Sequence, residues 1–208
     1  HHAMALYIAG QCFDNEQWRQ MAREFIPRVV AAQDPAGFWS EHFGPVVSYN
    51  FVYIEALGVY YYYSRDPVVL EALRRAAVFH SSVLWPDGSS VPCIDERVVY
   101  HPGVATGNVG FSWTPEGRGF LLKQVWDYSA GGEKTADADW AACMLSYGGE
   151  GEGIAPPAAA DEGAVVLGQP DTPERGGAVI RRSRPWQWAL SGYACAPSAS
   201  RWIQDRHN

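Results

Sequence analysis

Residues 37–45, GFWSEHFGP, and residues 85–90, WPDGSS, are the two glycine-containing turns that decide how this chain folds. Gly37 and Gly88 stand 51 positions apart, and each follows a pair of helical segments and lies close to an Asp. This spacing predicts a repeating unit of two helices and a glycine loop. Between the turns, residues 48–64 are apolar around nearly the whole circumference of a helix, which indicates an inner helix packed on several sides.

The segments before and after this helix carry the start signals of amphipathic helices. Asp14 or Asn15 can cap a helix over residues 15–33, in which Pro27 predicts a bend or a break. Asp66 stands before a proline at the first helical position and predicts the start of another helix, which ends at the second turn.

A third, weaker helix pair covers residues 115–126 and 135–147. Stacked hairpins in which all-apolar and amphipathic helices alternate predict a mainly α fold, an incomplete α/α toroid with the aromatic helices in its inner ring. A single-layer helical bundle is the alternative.

The composition of the chain changes after residue 147. Residues 148–175 are rich in Gly, Ala, Pro and acidic residues, as expected of a linker. Beyond them, GAVIRRSRPWQWALSGYACAP and SRWIQDRHN alternate and are rich in β-forming residues, which predicts strands. The expected organisation is a toroid portion over 1–147, a linker over 148–175 and the first strands of an antiparallel β-sandwich domain over 176–208. Both ends are expected to be cut from a longer protein.

Charge and composition narrow the class of partner. The formal net charge of −7 and the absence of a Lys/Arg run disfavour a nucleic acid or an anionic membrane as partner. The sequence contains no apolar run of about 18 residues, so no membrane-spanning helix is predicted. The four cysteines, Cys12, Cys93, Cys143 and Cys195, are dispersed without a C-x-x-C pair, so a zinc site is not expected. No other metal and no cofactor is expected either. The cysteines could be free thiols or could form two disulfides. The oligomeric state stays open as well.

Nine Trp and eleven Tyr are more than a minimal core needs. Aromatic side chains with a polar tip suit the binding of flat sugar faces, and a Trp-rich core is the equal alternative. In a toroid, the loops between helix pairs surround one end of the central cavity, so distant residues converge there. The candidates for this pocket are His1, His2, Trp39, Glu41, His42, Tyr49, Asn50, Tyr53, Asp95, Glu96, Arg97, Tyr100, His101, Trp113, Glu116 and Arg118.

The chain resembles a family of polysaccharide lyases in layout and in several short motifs. These are the helix with a His pair, GFWSEHFGPVVSYNFVY, PDGSSVPCIDERVVYH, FSWTPEGRGFL, and a linker into strands containing RPWQWALSGY and RWIQDR. The order is similar to that of the heparinase II/III and alginate lyase type, which joins an α/α toroid to a β-sandwich. The resemblance implies β-elimination on a uronic-acid polysaccharide and a periplasmic or secreted location.

The resemblance also implies roles for individual residues. His1 or His2 would match the family's His on an inner helix, although the Asn that precedes it in the family is not visible here. Asn50 would neutralise the sugar carboxylate, and Tyr49 or Tyr53 would serve as acid or base. The catalytic prediction is therefore His2, Tyr49, Asn50 and Tyr53. The predicted substrate-binding residues are His1, Trp39, Glu41, Arg97, Tyr100, His101, Trp113 and Arg118.

Each of these residues also has a structural interpretation. Tyr49 and Tyr53, four positions apart on one helix face, can be a core pair, and Arg97 can form an ion pair. Arg118 can brace a helix start with Glu116 as its partner. His80 and the run of four tyrosines at 60–63 are interpreted as packing residues.

Two other functional classes compete with a lyase. A glycoside hydrolase on the same scaffold, including the unsaturated glycuronyl hydrolase type, needs two carboxylates across the sugar, for which the chain offers Glu41, Asp95, Glu96 and Glu116. An inactive carbohydrate-binding fragment is the third possibility.

Overall fold

A computed structural model describes residues 1–41, 44–91, 107–130, 138–155, 164–167, 177–183 and 185–192. The helices are α1 (His2–Cys12), α2 (Glu16–Ala31), α3 (Val47–Ser64), α4 (Pro67–Ser82), α5 (Val109–Ser112), α6 (Pro115–Ala130) and α7 (Ala138–Tyr147). The strands are β1 (Ser40–Glu41), β2 (Gly44–Pro45), β3 (Ala164–Leu167), β4 (Ala178–Ser183) and β5 (Trp186–Ser191). The predicted mainly α class is confirmed.

The repeat of 51 residues is present in the amphipathic helices. α2 and α4 have 16 residues each and begin at positions 16 and 67. Each start is capped by a side chain one residue earlier, where Asn15 accepts from the backbone N–H of Trp18 and Asp66 from that of Val68. α2 continues through Pro27, so the predicted break is absent.

The two glycine turns also repeat. Gly37 has a φ of 104° and Gly88 a φ of 83°, in the left-handed region that favours glycine. A side chain at Gly37 would overlap the carbonyl oxygen of Arg75, so this turn packs tightly against α4. Each turn is closed by an antiparallel bridge at equivalent positions, Gln33 with Trp39 and Leu84 with Ser90. The predicted unit of helix, turn, helix and glycine loop is confirmed for these two turns.

The helices form two rows. α1, α3 and α5 pack in sequence in one row, and α2, α4 and α6 pack in sequence in the other. The apolar helices α1 and α3 thus lie in one row and the amphipathic helices α2 and α4 in the other, as their sequence patterns predict.

Side-chain contacts give the directions of the first row. Asn108, just before α5, donates to the carbonyl oxygen of Phe51 near the start of α3, and Trp113 at the end of α5 stacks on Tyr61 near the end of α3. Tyr7 of α1 packs edge-on against Tyr60. Further along α1, Cys12 interacts electrostatically with Tyr63. α1, α3 and α5 therefore run parallel.

α3 and α5 approach each other closely at two glycines. A Cβ on Gly58 would overlap the backbone of Gly110, and a Cβ on Gly110 would overlap the carbonyl oxygen of Ile54. The contact permits no side chain larger than hydrogen at either position.

The third helix pair differs from the prediction. α6 packs against α5, and α7 packs against α5 and α3. The pairing of residues 115–126 with residues 135–147 is therefore wrong: α5 and α6 form the third pair, and α7 continues the row of α3 and α5. The four-residue α5 is too short for its apolar periodicity to be recognised in the sequence.

β3, β4 and β5 form an antiparallel sheet in the order β3-β4-β5. β3 lies inside the stretch over 148–175 that the sequence predicts as a linker. Leu167, Ala178 and Ile180 are buried in the same core as the helices, and Gln187 donates to the carbonyl oxygen of Leu84. The sheet thus packs on the helical part, next to the second glycine turn. Residues 200–208, predicted as a strand, lie outside the described residues.

His80 of α4 lies at the centre of the core and has no exposed surface. Four phenylalanine rings surround it at centroid distances of 4.8 to 5.9 Å: Phe51, Phe79, Phe111 and Phe120. Within the described part of the chain neither imidazole nitrogen has a hydrogen-bond partner. Burial lowers the pKa of His80 from 6.5 to about 3. The prediction that His80 is structural agrees with this position.

Candidate functional site

The amino-terminal ends of α1, α3 and α5 point in the same direction because these helices run parallel. The first glycine turn and the β1–β2 hairpin lead directly into the amino-terminal end of α3. Four of the predicted site residues lie here on the turn and the first two turns of α3, and together they form the α3 start site: Trp39, Tyr49, Asn50 and Tyr53.

Asn50 fixes the geometry of the α3 start site. It is fully buried, and its side-chain oxygen accepts from the Trp39 backbone N–H at 2.8 Å. Its side-chain nitrogen donates to the carbonyl oxygens of Trp39, at 2.9 Å, and Val46, at 3.0 Å. The amide is therefore occupied by backbone groups and is not presented to a sugar carboxylate as predicted. Asn50 instead ties the turn to the helix.

Trp39 forms the inner wall of this site. Its indole N–H donates to the carbonyl oxygen of Val29 at 2.7 Å, and its side chain is buried, with 5% of its surface exposed. Its ring lies 6.1 Å from that of Tyr53, at an interplanar angle of 57°. A buried Trp supports the neighbouring Tyr and offers little face to a sugar, so the predicted stacking on substrate does not fit this position.

Tyr49 and Tyr53 carry phenol hydroxyl groups, the groups of the α3 start site that can transfer a proton. Both lie in α3 four residues apart and therefore on one face, as predicted. Tyr49 is 39% exposed and Tyr53 is half-buried against Trp39. A phenol that is exposed yet carried on a packed helix can reach a substrate while its backbone stays fixed.

His1 and His2 stand at the exposed start of α1. The rings of Tyr7 in α1 and Tyr60 in α3 are in contact, so these two residues lie at the same height along the parallel helices. Because a helix rises 1.5 Å per residue, His2 lies about 7 Å before that height along α1. Tyr53 lies about 10 Å before it along α3. Tyr49 lies about 16 Å before it. The predicted imidazole is thus nearly level with Tyr53, and it lies about 9 Å further along the row than Tyr49. Burial lowers the pKa of the amino group of His1.

Several predicted residues lie wholly or partly outside the described part of the chain. The backbone of Glu41 pairs with Gly44 in the β1–β2 hairpin, while its side chain lies outside. Five further candidates, and His42, fall outside as well: Asp95, Glu96, Arg97, Tyr100 and His101.

Trp113 and Arg118 lie away from the α3 start site. Trp113 contacts Tyr61, which is 12 residues, or about 18 Å, further along α3 than Tyr49. Arg118 donates to the carbonyl oxygens of Glu152 at 2.9 Å and of Ser112 at 2.7 Å. It therefore braces the chain after α7 against α5. Their prediction as parts of one pocket with Tyr49 does not fit these positions.

Glu116 does not pair with Arg118 as predicted. Its carboxylate lies 3.5 Å from the guanidinium of Arg74 on α4, which also binds Glu71. Glu71 and Glu116 together raise the pKa of Arg74, with the hydrogen bond to Glu71 as the largest cause. Glu116 thus links α6 to α4 within the second row of helices.

A second group of aromatic side chains lies at the carboxyl-terminal end of α3, where the sequence predicts packing tyrosines. Arg65, the residue that ends α3, stacks over the rings of Trp113 at 4.7 Å, Tyr62 at 5.4 Å and Tyr61 at 5.7 Å. Tyr147 of α7 packs 5.3 Å from Tyr62. These five residues form the Arg65 cluster. Four consecutive tyrosines point around a helix, and only the fold shows that neighbouring segments bring a further ring to each of them.

The Arg65 cluster is partly open to solvent. Arg65 is exposed and its aromatic neighbours are half-buried. Burial, followed by a hydrogen bond with Tyr147, raises the pKa of the adjacent Tyr63.

Within the described ranges, no group of three or more His, Cys, Asp and Glu side chains could hold a metal ion. Cys12 and Cys143 are free thiols, and burial followed by the charge of Glu55 raises the pKa of Cys143. Cys93 and Cys195 lie outside these ranges. No described helix has both the length and the apolar character needed to cross a membrane.

No protein-family model, curated protein or solved structure matches the chain.

Proposed function

We propose that this chain belongs to a polysaccharide lyase that cleaves a uronic-acid polymer by β-elimination, with its catalytic groups at the α3 start site. One observation carries the proposal. A partly exposed Tyr49 and a half-buried Tyr53 lie on one face at the start of α3, where Asn50 anchors the adjoining turn, and the exposed His2 of the parallel helix α1 is nearly level with Tyr53. The resemblance to heparinase II/III and alginate lyases agrees with this placement.

The chemistry needs the residue types found at this end. A base removes the proton at C5 of the uronate, the bond from C4 to the bridging oxygen breaks, and a double bond forms between C4 and C5. An acid returns a proton to the departing oxygen. Tyr and His both suit these proton transfers, so the phenols of Tyr49 and Tyr53 and the imidazole of His2 are proposed as the acid and base groups.

The sugar carboxylate must also be neutralised, because the C5 proton is only weakly acidic beside a free carboxylate. The amide of Asn50 is already bonded to Trp39 and Val46. We therefore assign this role to Arg97 or His101, the residues predicted to bind the acidic sugar, and keep Asn50 as a positioning residue.

The two rows of helices support an incomplete α/α toroid. An inner row of parallel helices joined through an outer row is the arrangement expected of stacked hairpins, and α1, α3 and α5 with α2, α4 and α6 follow it. The β3-β4-β5 sheet is proposed to be the opening part of a β-sandwich. A periplasmic or secreted location is proposed from the resemblance alone.

A glycoside hydrolase is less well supported. Of its four candidate carboxylates, Glu116 is the one whose side chain the structure describes, and it is paired with Arg74 in the outer row. A general acid with a raised pKa needs an apolar or anionic neighbour instead.

Matched variants test the proposal. Tyr49→Phe removes one hydroxyl from a partly exposed ring and should lower kcat about 100-fold or more, since general acid or base catalysis contributes at least that much. Glu116→Gln serves as the control and should leave kcat unchanged in a lyase. Loss of turnover in Glu116→Gln with full turnover in Tyr49→Phe would favour the hydrolase and overturn the assignment.

A further inference from the structure

The backbone at Arg65 places its side chain back over α3. Arg65 is the C-cap residue of α3 and has a φ of 54°, in the left-handed region where Gly is the usual residue. Arg occupies the position despite this conformational preference. The guanidinium lies over the rings of Tyr61, Tyr62 and Trp113.

Aromatic rings from two helices hold the Arg65 guanidinium in place. Its central carbon lies 4.7 Å from the centroid of Trp113, well inside the range of a cation–π contact. Contacts with Tyr62 and Tyr61 come from α3 itself, while Trp113 is supplied by the end of α5. Two parallel helices thus orient a single cation.

The hydrogen-bonding edges of this cation are not used by any described residue. Throughout the described part of the chain, the side chain of Arg65 makes no hydrogen bond or ion pair, whereas Arg19, Arg23 and Arg74 each bind a carboxylate. A guanidinium has five N–H donors in a planar fork that matches the two oxygens of a carboxylate or sulfate. Arg65 is therefore an exposed guanidinium, held by aromatic rings, that no described carboxylate neutralises.

We infer that the Arg65 cluster binds the carboxylate or sulfate group of an acidic sugar at the end of the inner helices opposite the α3 start site. The choice of a sugar as the carrier of the anion rests on the proposed lyase function. Arg65 supplies the bidentate contact. The half-exposed Tyr62 and Tyr147 supply aromatic surface and hydroxyl groups beside it, a combination that suits the apolar face and polar rim of a sugar ring.

The separation from the α3 start site determines how this contact would act. Arg65 is 16 residues beyond Tyr49, about 24 Å along the helix axis. A long polymer can touch both places at once and gains from the raised effective concentration, while a short oligosaccharide binds at one of them. The Arg65 cluster should therefore lower KM for polymers and leave kcat unchanged.

Titration calorimetry tests the inference with defined probes. Tetragalacturonate, an alginate tetrasaccharide and a heparan sulfate tetrasaccharide serve as acidic ligands, and cellotetraose is the neutral control. Arg65→Gln and Arg65→Gly should each weaken acidic binding about tenfold or more, because a charge-assisted contact is lost. Arg28→Gln removes an equivalent exposed charge from the end of α2 and should bind like the natural protein.

The glycine variant separates binding from folding. Gly suits the left-handed conformation at position 65, so Arg65→Gly should melt at the same temperature as the natural protein or above it. Weak binding in this variant would then arise from the missing cation. Unchanged acidic binding in both Arg65 variants, equal loss in Arg28→Gln, or no acidic binding by the natural protein would each overturn the inference.

Lyase turnover is measured separately. Turnover that depends on Tyr49, with a polymer KM unaffected by Arg65→Gln, would refute the Arg65 cluster and leave the proposed function standing. Binding that depends on Arg65 without any turnover would refute the lyase and keep the anion site.

Discussion

Lowering the pH from 7 to 5 should destabilise the fold through His80, and His80→Leu should remove that effect. The imidazole has no exposed surface, is enclosed by four phenylalanine rings and has no hydrogen-bond partner among the described residues. Its charged form is therefore strongly disfavoured in the folded state. The unfolded chain can protonate it freely.

The size of the effect follows from the two pKa values. Folding lowers the pKa of His80 from 6.5 to about 3, so between these values the unfolded chain binds more protons than the folded one. Stability is then at its full value above about pH 6.5 and falls as the pH drops toward 3. A tenfold change in proton concentration corresponds to about 1.4 kcal/mol within this range, so the loss between pH 7 and pH 5 is roughly 2 kcal/mol.

Urea unfolding at a series of pH values, followed by circular dichroism, measures this slope. Glu16 and Glu71 also stabilise the fold through lowered pKa values, but their contribution is lost as the pH falls below the ordinary carboxyl range near 4.5. These carboxylates therefore contribute little between pH 7 and 5. The amino group of His1, whose pKa burial also lowers, contributes equally in the natural protein and in the His80 variant, so the difference between the two proteins reports on His80. His80→Leu should be as stable as the natural protein at pH 7 or more so, because it removes a buried N–H without a partner among the described residues. Parallel loss of stability in both proteins would refute the reasoning.

Two further substitutions test the packing that positions the α3 start site. Asn50→Ala removes the side chain that bonds the backbone N–H and carbonyl of Trp39. It should lower the free energy of unfolding, measured with urea, by roughly 2 to 3 kcal/mol. An unchanged free energy of unfolding would contradict the anchoring role of Asn50. Gly110→Ala forces a methyl group against the carbonyl oxygen of Ile54 and should lower stability by roughly 1 to 3 kcal/mol. Gly192→Ala is the control, since a Cβ there would lie 3.3 Å from its nearest neighbour, the carbonyl oxygen of Gly177. Equal melting temperatures for the Gly110 and Gly192 variants would contradict the close approach of α3 and α5.

The repeat could be read from the sequence because its signals are local. Asn15 and Asp66 are helix caps, and Gly37 and Gly88 satisfy a backbone conformation that other residues avoid. Each of these signals lies within a few residues of the structure that it specifies. The same holds for the apolar pattern of α3, which shows that the helix is packed on several sides.

Long-range pairing could not be read in this way. The role of Asn50 depends on Trp39, eleven positions earlier, and a buried Asn looks the same in sequence as one that faces a ligand. Trp113 is grouped with Tyr49 in the sequence prediction because the sequence does not give the direction of α5. Arg65 draws its importance from Trp113, which is 48 positions away and is brought near only by the packing of α5 on α3.

The ratio of ultraviolet absorbance to new reducing ends is the most direct measurement of the proposed chemistry. The protein expressed from its full reading frame would be incubated with alginate, heparan sulfate, hyaluronan, pectate and ulvan, and both signals would be followed in the same samples. A lyase creates one unsaturated uronate for each new reducing end, so the two signals should rise together on one of these polymers and fall together in Tyr49→Phe. Reducing ends that appear without ultraviolet absorbance would contradict β-elimination and assign the chain to hydrolysis.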